Sequence, residues 1–536
     1  MTRIAGLASN RGRNLMHLQD LKPGGAELAV VATNDGNAPV LEKAAERGIE
    51  TVVVEQTEDM DRREHERRLL QALEDVEFDL VVLDGYMRIL SDTFLDAVPV
   101  TFNVHPSLLP AFPGMNAHEQ VLDSGVAVTG CTVHVVTNAV REDGSIETEA
   151  VDAGPVITQE TVPVFEDDTP ASLKKRVLHE AEFRAYPRAV TWFAEGRLSI
   201  DGGEVYVEGD QDESFPLRNG RSFDKVRELR YGENPHQDAA IYEDLTATEA
   251  SVVHATQLNP GAKKLSYNNY NDADAALNLI KEFEKPAAAV IKHANPTGCA
   301  VAETAAEAYE RALSTDPKSS FGGIVSLNRP CDTETANQIV ESFKEVVVAP
   351  DYTEGALEVL REKDNLRVLA VGENYEPTET VAEKPLVGGR LLQDRNLDVP
   401  DLDDLEVVTE RDPTDEELES MVFAWQTIKH VKSNAILFAS GTETVGVGMG
   451  QVSRVDAVKL AAMKAESDAE GKSADGAVMA SDAFFPFPDG IEEAAAAGIE
   501  AVIQPGGSVN DEAVIEAADS YDMAMVFTGT RAFRHD

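Results

Sequence analysis

Asn103 and His105 stand two residues apart at the end of an apolar run, and Lys292 and His293 stand side by side at the end of another. An amide and an imidazole on one face can donate to a developing oxyanion, while a lysine beside a histidine pairs a fixed cation with a proton acceptor. In TFNVHPSLLPAFPG, Thr101–Gly114, alternation sends both Asn103 and His105 to one side just before a proline-rich loop. In AAVIKHANPTGCA, Ala288–Ala300, the Lys-His pair follows a strand-like run and precedes an Asn-Pro turn and Gly298. Taken alone, an Asn-x-His pair is more often structural and a Lys-His pair is ordinary surface sequence. GVGMG at Gly446–Gly450 lacks a strand, turn and helix followed by a ribose-binding acid, so it reads as a turn or a close backbone approach. Cys131, Cys299 and Cys331 form no CxxC pair and indicate neither zinc nor a disulfide framework.

The elements that must hold these residues alternate. Runs at Arg3–Ala8, Glu27–Thr33, Glu50–Val54 and Asp79–Leu83 predict strands, and Met60–Leu73 predicts a helix between two of them. That alternation implies a parallel α/β sheet, in which ligands gather beyond the carboxyl ends of the strands. Asp201–Ser222, with GG, GDQDES and NGRS, has no apolar period and reads as a connection. The predicted division is therefore 1–200, a linker at 201–222, and 223–536, the last again mixed α/β with helices at Ala273–Phe283 and Val455–Ala465.

A chain of 536 residues exceeds what one hydrophobic core supports, and 43% hydrophobic residues supply material for more than one. The 96 acidic against 47 basic residues give a formal charge of -49, which disfavours nucleic acid and anionic membranes as partners. No apolar run reaches the ~18 residues needed to cross a bilayer. The composition suits a halophilic cytoplasm, where salt shortens the reach of self-repulsion.

Further motifs accompany the first pair: DGYMRIL at Asp84–Leu90, GCTVHVV at Gly130–Val136, DAGPVITQ at Asp152–Gln159, then Glu182, Tyr186 and Pro187. With NVHPSLLPAFPG, residues 1–200 resemble the glycinamide ribonucleotide branch of the folate-dependent formyltransferases. Formylfolate hydrolases usually carry a second His where Pro106 stands. The resemblance implies a Rossmann-like parallel sheet with catalytic Asn103, His105 and Asp152. It implies ribonucleotide contacts from Gly12, Arg13, Asn14 and Glu182, and 10-formyltetrahydrofolate contacts from Asn103, Arg63, Met87, Arg88 and Leu90. Two departures stand out: SNRGRN replaces a tighter glycine-rich turn, and residues 137–151 form a long acidic insertion whose tip reads as a solvent loop.

After the linker, LRYGENPHQ, LSYNNYNDAD, SSFGG, KSNAI, QVSRVD, SDAFFPFPDG and RAFRH appear in order around the Lys-His pair. This second region resembles the aminoimidazole carboxamide ribonucleotide (AICAR) formyltransferase domain, as in fusions of haloarchaeal type. The resemblance implies a cytidine-deaminase-like α/β fold with catalytic Lys292 and His293. Arg230, Tyr231, Gly322, Glu345, Arg454, Phe484 and Arg531 would surround the nucleotide, with Asn434, Asp489, Val509 and Asn510 nearer the folate. Pro488 stands where relatives often carry a charge. A homodimer through this domain is implied, and ring closure falls to another protein because nothing in residues 1–222 resembles a cyclohydrolase. The other readings are a formylfolate hydrolase and a folate- or nucleotide-binding regulator; all five central residues being present argues for formyl transfer to glycinamide ribonucleotide and AICAR.

A formal charge of -49 also makes a testable statement about stability. Screening relieves self-repulsion, so Tm should rise as salt is added to dilute buffer. A melt series whose highest Tm lies in dilute buffer would contradict the halophilic reading.

Overall fold

Leu80–Leu83, LVVL, and Val346–Ala349, VVVA, are uninterrupted apolar runs, the pattern of strands covered on both faces. In a computed structural model both are buried central strands. The structure describes residues 1–535 except 58–59, 202, 209–214, 216–218, 260–262, 379 and 401–404, so much of the predicted linker lies outside the described residues. The chain divides into two units, Met1–Asn219 and Gly220–Asp536.

The first unit is built on β1 (Arg3–Leu7), β2 (Glu27–Thr33), β3 (Glu50–Val53), β4 (Leu80–Leu83), β5 (Thr101–His105), β6 (Val128–Val135) and β7 (Val156–Pro163). Their order is β3-β2-β1-β4-β5-β6-β7. β1 to β5 pair in parallel, as predicted, whereas β6 and β7 run antiparallel. The antiparallel pair arises because β6 follows β5 through one short helix, Ala117–Ser124, and β7 returns directly from β6. Alternation divides the strands between two cores: Ile4, Leu80 and Val82 face one, Ala5, Leu7, Val81 and Leu83 the other. The chain order reverses between β1 and β4, and the crevice beyond their carboxyl ends is where such sheets bind ligands.

The second unit carries a twelve-stranded sheet. Its centre is two antiparallel hairpins, Ala287–Lys292 with Asn295–Val301 and Ile436–Ser440 with Glu443–Gly448, joined where Ala300 pairs with Glu443. Outward from each hairpin lie three mutually parallel strands and a short antiparallel edge strand. The halves also share chain order, each hairpin being preceded by a 14-residue helix, Tyr267–Ile280 and Asp415–Ile428, opened by a capping box at Ser266 and Thr414. One core cluster lies on one face, and two smaller ones, around Tyr309 and Phe438, divide the other.

The glycine run is explained by a close approach. Gly446 and Gly448 lie in the strand Glu443–Gly448 against the helix Arg454–Ser467, and a Cβ would come within 2.3 Å of the Ala461 carbonyl oxygen and 1.9 Å of that of Ala457. Gly448→Ala must push strand and helix apart. It should cost about 1–3 kcal/mol, the usual range for overpacking, and lower the Tm, whereas Gly220→Ala, with open space around it, should not.

Candidate active sites

His105 ends β5 and is 5% exposed. Its Nδ1 lies 3.1 Å from Asp152 Oδ2, and its Nε2 donates to the Phe112 carbonyl at 2.9 Å. Both partners only accept, so the doubly protonated ring satisfies both bonds. Burial pushes the imidazole pKa down, but the Asp152 hydrogen bond and charge together with the Phe112 carbonyl outweigh it, and the net direction is up. Asp152 moves the opposite way: burial raises it, yet His105 and the Gly114 amide at 3.0 Å carry it below its ordinary value. Asp152 sits in left-handed backbone, φ 57°, a strain typical of functional positions. Gly154 follows because a Cβ there would fall 1.8 Å from the Val135 carbonyl oxygen.

Sequence reasoning missed His134. It quoted GCTVHVV without assigning the histidine, because an inward-facing His on an apolar strand looks like core. Its Nδ1 donates to the Val135 carbonyl at 3.1 Å, and its Nε2 accepts from Asn103 Nδ2 at 3.1 Å. Burial lowers its pKa, so it stays neutral, orients the Asn103 amide and leaves the second amide hydrogen free. Asn103, His134 and Asp152 line a cavity of about 280 Å³ with Met87, Arg88 and Leu90. Arg63 is not among the lining residues; its guanidinium reaches Asp92 at 3.3 Å and the Glu142 carbonyl at 3.5 Å.

On the crevice side, Gly12 caps the helix Arg13–Leu21 in left-handed backbone, φ 53°, where a Cβ would strike Val40 at 2.3 Å. The helix start is already occupied. Asp84 Oδ2 accepts from the Asn14 and Leu15 amides at 2.8 and 3.4 Å, which leaves the Gly12 and Arg13 amides and the arginine side chains for an anion. The Asn14 side-chain amide bridges Asp84 at 3.1 Å and Glu182 at 2.6 Å, while its own buried Oδ1 has no partner. Glu182 closes a π-helical segment, Val177–Glu182, of a kind common at functional sites. Burial first, and then the Asp84 charge, against the Asn14 bond, push its carboxyl up to about 7.

In the second unit the turn lies two residues before the expected Asn-Pro turn. Lys292 pairs with Asn295, so His293 and Ala294, at φ 53° and 58°, are the two turn residues and Asn295-Pro296 opens the returning strand. Two positive φ values make a type I′ turn, normally Asn-Gly. The Ala294 amide is held by Asp272 at 2.8 Å, which leaves His293 exposed at the tip. Lys292 Nζ donates to the Phe321 carbonyl at 2.6 Å, and a Cβ on Gly322, φ 74°, would lie 3.7 Å from that nitrogen.

Arg230, Tyr231 and Glu345 line a cavity of about 630 Å³ together with Arg227, Lys263, Lys264 and Arg367. Phe343, whose ring faces Gly322, lines it too. Asn434 and Arg454 form a separate network: Asn434 Oδ1 accepts from Arg454 at 2.6 Å, and Arg454 pairs with fully buried Asp482 at 2.6 Å. The Lys432 amide, donating to Asn295 Oδ1 at 3.0 Å, ties that segment to the His293 turn. Asn510 Nδ2 reaches the Pro486 carbonyl at 2.7 Å, beside half-buried Phe484 and exposed Asp489. Val509 and Arg531 are exposed. The described residues hold no cluster suited to a metal ion, and no described helix is long and apolar enough to cross a membrane.

Residues 2–190 match the family model described as formyl transferase, and residues 199–464 match that of the AICARFT/IMPCHase bienzyme. Glycinamide ribonucleotide transformylase 1 from Symbiobacterium toebii is 41% identical over 39% of this chain and 94% of its own, with a TM-score of 0.35. Phosphoribosylglycinamide formyltransferase from Anaplasma phagocytophilum is 37% identical over 40% of this chain and 98% of its own, with a TM-score of 0.34.

The opposed shifts at the first site are measurable. By NMR titration His105 should titrate above the ordinary ~6.5 of a histidine, and Asp152→Asn should bring it below that value because burial remains while the charge is gone. A raised folded pKa contributes stability that is present below the unfolded pKa and lost as pH rises through the folded one. Wild type should therefore lose stability relative to Asp152→Asn across that interval.

Proposed function

Because the chain belongs to the formyl transferase family and continues into an AICARFT/IMPCHase segment, we propose that it carries out two formyl transfers of purine biosynthesis. The first unit formylates glycinamide ribonucleotide and the second formylates AICAR, each from 10-formyltetrahydrofolate. The observation that carries the reading is an oriented Asn103 amide and Asp152 on one cavity, with His105 buried behind them against Asp152.

In the first reaction the glycinamide amine attacks the formyl carbon. A new C–N bond forms, the carbonyl oxygen becomes an oxyanion, and the bond to the folate nitrogen then breaks as the amine proton passes to it. The free hydrogen of Asn103 donates to that oxygen, and the imidazolium of His105, its N–H groups held by Asp152 and Phe112, stabilises it through the charge that Asp152 maintains. Met87, Arg88 and Leu90 hold the donor, with Arg63 acting through the protein. Gly12 and Arg13 receive the phosphate, and Asn14 and Glu182 hold the ribose side. The cavity sits at the lower end of ligand pockets, ~300–1,000 Å³, so it takes part of the donor while the rest extends outward.

The AICAR amine is conjugated to its ring and needs proton removal as it attacks. His293 accepts that proton, and Lys292 supplies the positive charge beside the reacting centre. Arg230, Tyr231, Gly322, Glu345, Arg454, Phe484 and Arg531 surround the nucleotide in this reading; Asn434, Asp489, Val509 and Asn510 face the folate. Exposed Arg531 and Val509 suit a site completed by a second copy of the chain, hence a homodimer through the second unit. Ring closure is assigned to another protein, since both units are given to formyl transfer. A division of labour at the boundary near residues 201–222 belongs to the same proposal.

Separate assays with each ribonucleotide, in high salt, test it. Asp152→Asn should lower glycinamide ribonucleotide turnover roughly 100-fold to 1000-fold, as loss of an oxyanion-stabilising group does elsewhere, with AICAR turnover intact. Lys292→Ala and His293→Ala should do the reverse, each costing ~100-fold or more with little change in nucleotide binding by calorimetry. Equal loss of both activities in any variant would mean misfolding or a shared site; near-normal AICAR turnover in His293→Ala would end its assigned role.

A further inference from the structure

The Lys292 ammonium is placed by a backbone carbonyl. It donates to the Phe321 oxygen at 2.6 Å, and a carbonyl orients a cation without cancelling its charge, so whatever fixes that carbonyl fixes where the charge sits. Phe321 is exposed, its ring resting against Phe343, so its side chain does not anchor the turn in the core. The turn is held by its polar neighbours instead. Buried Ser320 shares a hydrogen bond of 2.8 Å with Thr297, on the strand returning from the His293 turn, and the Gly322 amide donates to the Phe343 carbonyl at 2.8 Å.

The upstream end of the same turn is tied to the other half of the sheet. Asp316, 6% exposed, accepts from the Ser319 amide at 2.8 Å through Oδ1, and its carbonyl accepts from the Ser320 amide at 3.0 Å. Its Oδ2 pairs at 2.7 Å with Lys464 Nζ, from the helix Arg454–Ser467, and the same ammonium donates to Ser319 Oγ at 3.3 Å. Asp468, just past the end of that helix, pairs with Lys464 as well, at 2.8 Å. Burial pushes the Lys464 pKa down, but the two carboxylates outweigh it and the net direction is up, so the cation stays charged. With Asp316 buried, this pair differs from a surface salt bridge: removing one partner leaves a charge uncompensated, and the chain around it must shift.

We propose that Asp316 and Lys464 are positioning residues for AICAR formylation: their ion pair holds the 319–323 turn where the Phe321 carbonyl fixes the Lys292 ammonium beside the reacting centre. The inference rests on the reading of Lys292 as the cation of that reaction. Neither residue lines the cavity that holds Arg230, Tyr231 and Glu345, so their contribution reaches the chemistry through the Lys292 charge. That charge is needed as the substrate amine attacks and negative charge develops on the formyl oxygen. Its displacement therefore lowers kcat more than it weakens the nucleotide. The tie also gives the second half of the sheet, whose own turn carries Gly441 and Thr442, a part in the chemistry of the first.

A double-mutant cycle separates this role from a merely structural one. In the full-length protein, Asp316→Asn and Lys464→Met are made alone and together with Lys292→Ala, and Lys464→Arg is made alone. Each of the first two should lower the kcat of AICAR formylation roughly tenfold to hundredfold, the scale on which a displacement of about 1 Å acts. AICAR affinity by calorimetry should move less, Lys464→Arg should keep part of the lost rate, and glycinamide ribonucleotide formylation should be unchanged. Beside Lys292→Ala, single-turnover assays with enzyme in excess should show no further fall from either substitution. If Asp316→Asn or Lys464→Met loses ellipticity, Ser319→Ala takes its place; it removes only one hydroxyl, and its smaller fall should likewise vanish beside Lys292→Ala. Folded variants that keep the wild-type kcat, or that lose the same factor with Lys292 present or absent, overturn the positioning role alone. A wild type without AICAR formylation, or Lys292→Ala at full turnover, overturns the reading beneath it as well.

Discussion

The contact on which the first unit depends is a single charge pair, His105 with Asp152, held where water scarcely reaches. A buried imidazole prefers to be neutral, and a buried carboxylate prefers its proton. Each preference is reversed here by the other partner, and the surrounding chain exists in the shape needed to keep them 3.1 Å apart. β5 brings His105 to the end of the sheet. Gly154, pressed against the Val135 carbonyl, turns the chain so that Asp152 adopts a left-handed backbone beside it. The strain at Asp152 has the order of 1–3 kcal/mol typical of such positions, and it is offset by the bonds to His105 and Gly114. His134, next along the same face, has its pKa lowered by burial, which outweighs the Asp152 carboxylate 3.7 Å away and the Val135 carbonyl.

The second unit meets its chemical requirement differently. Its Lys-His pair lies at the end of a hairpin, Lys292 half-buried in the strand and His293 exposed in the turn, and rigidity comes from turn geometry. The duplicated architecture makes the point. The companion turn of the second half, Gly441-Thr442, has the same length and the same positive φ at its first position, 55°, but carries glycine where the first half carries His293. Glycine adopts that backbone freely; histidine is held there by Asp272 on the Ala294 amide and by the Asn295 bond to the His293 carbonyl at 3.0 Å. Two halves with one plan thus differ at the position where the proposed function puts a proton acceptor.

Much of this was legible in the sequence because it depends on local pattern. The four strands of the first unit given bounds from sequence fall within a residue or two of them, since an alternation of apolar runs and helical stretches admits few arrangements. Asn103 and His105 on one face follow from strand period alone, and the close approach at Gly446 and Gly448 follows from glycine at alternate positions of an apolar run. What stayed hidden depends on partners far away in sequence. The antiparallel sense of β6 and β7, the neutral role of His134, the Asp84 carboxylate on the Asn14 and Leu15 amides, and the redirection of Arg63 to Glu142 and Asp92 are set by residues ~25 to ~80 positions distant, which no local spacing encodes. The turn at His293-Ala294 lies two residues from the one the sequence suggests because Asn-Pro is a strong turn signal in isolation, whereas here Pro296 sits in the returning strand.

The acidic composition places a further constraint on both sites. A chain with 96 acids to 47 bases offers abundant carboxylates to neutralise any cation, yet the cavity beside Lys292 gathers Arg227, Arg230, Lys263, Lys264 and Arg367 around the single carboxylate of Glu345. The arginines there are steadied largely by neutral oxygens: Arg227 by the Tyr270 hydroxyl at 3.0 Å, and Arg367 by the carbonyls of Lys263 and Asn365 at 3.3 and 3.2 Å. Glu345 is itself engaged by Asn269 at 2.7 Å and lies 3.8 Å from Arg367. Carbonyls orient a guanidinium without cancelling its charge, so the cavity keeps a positive field inside a strongly negative molecule. In high salt that field is shortened to a few ångströms, which favours an anion that enters the cavity over one that merely approaches the surface. Wherever salt is high, the screening that relieves self-repulsion in so acidic a chain also confines its attraction for anionic ligands to the places where cations are built in.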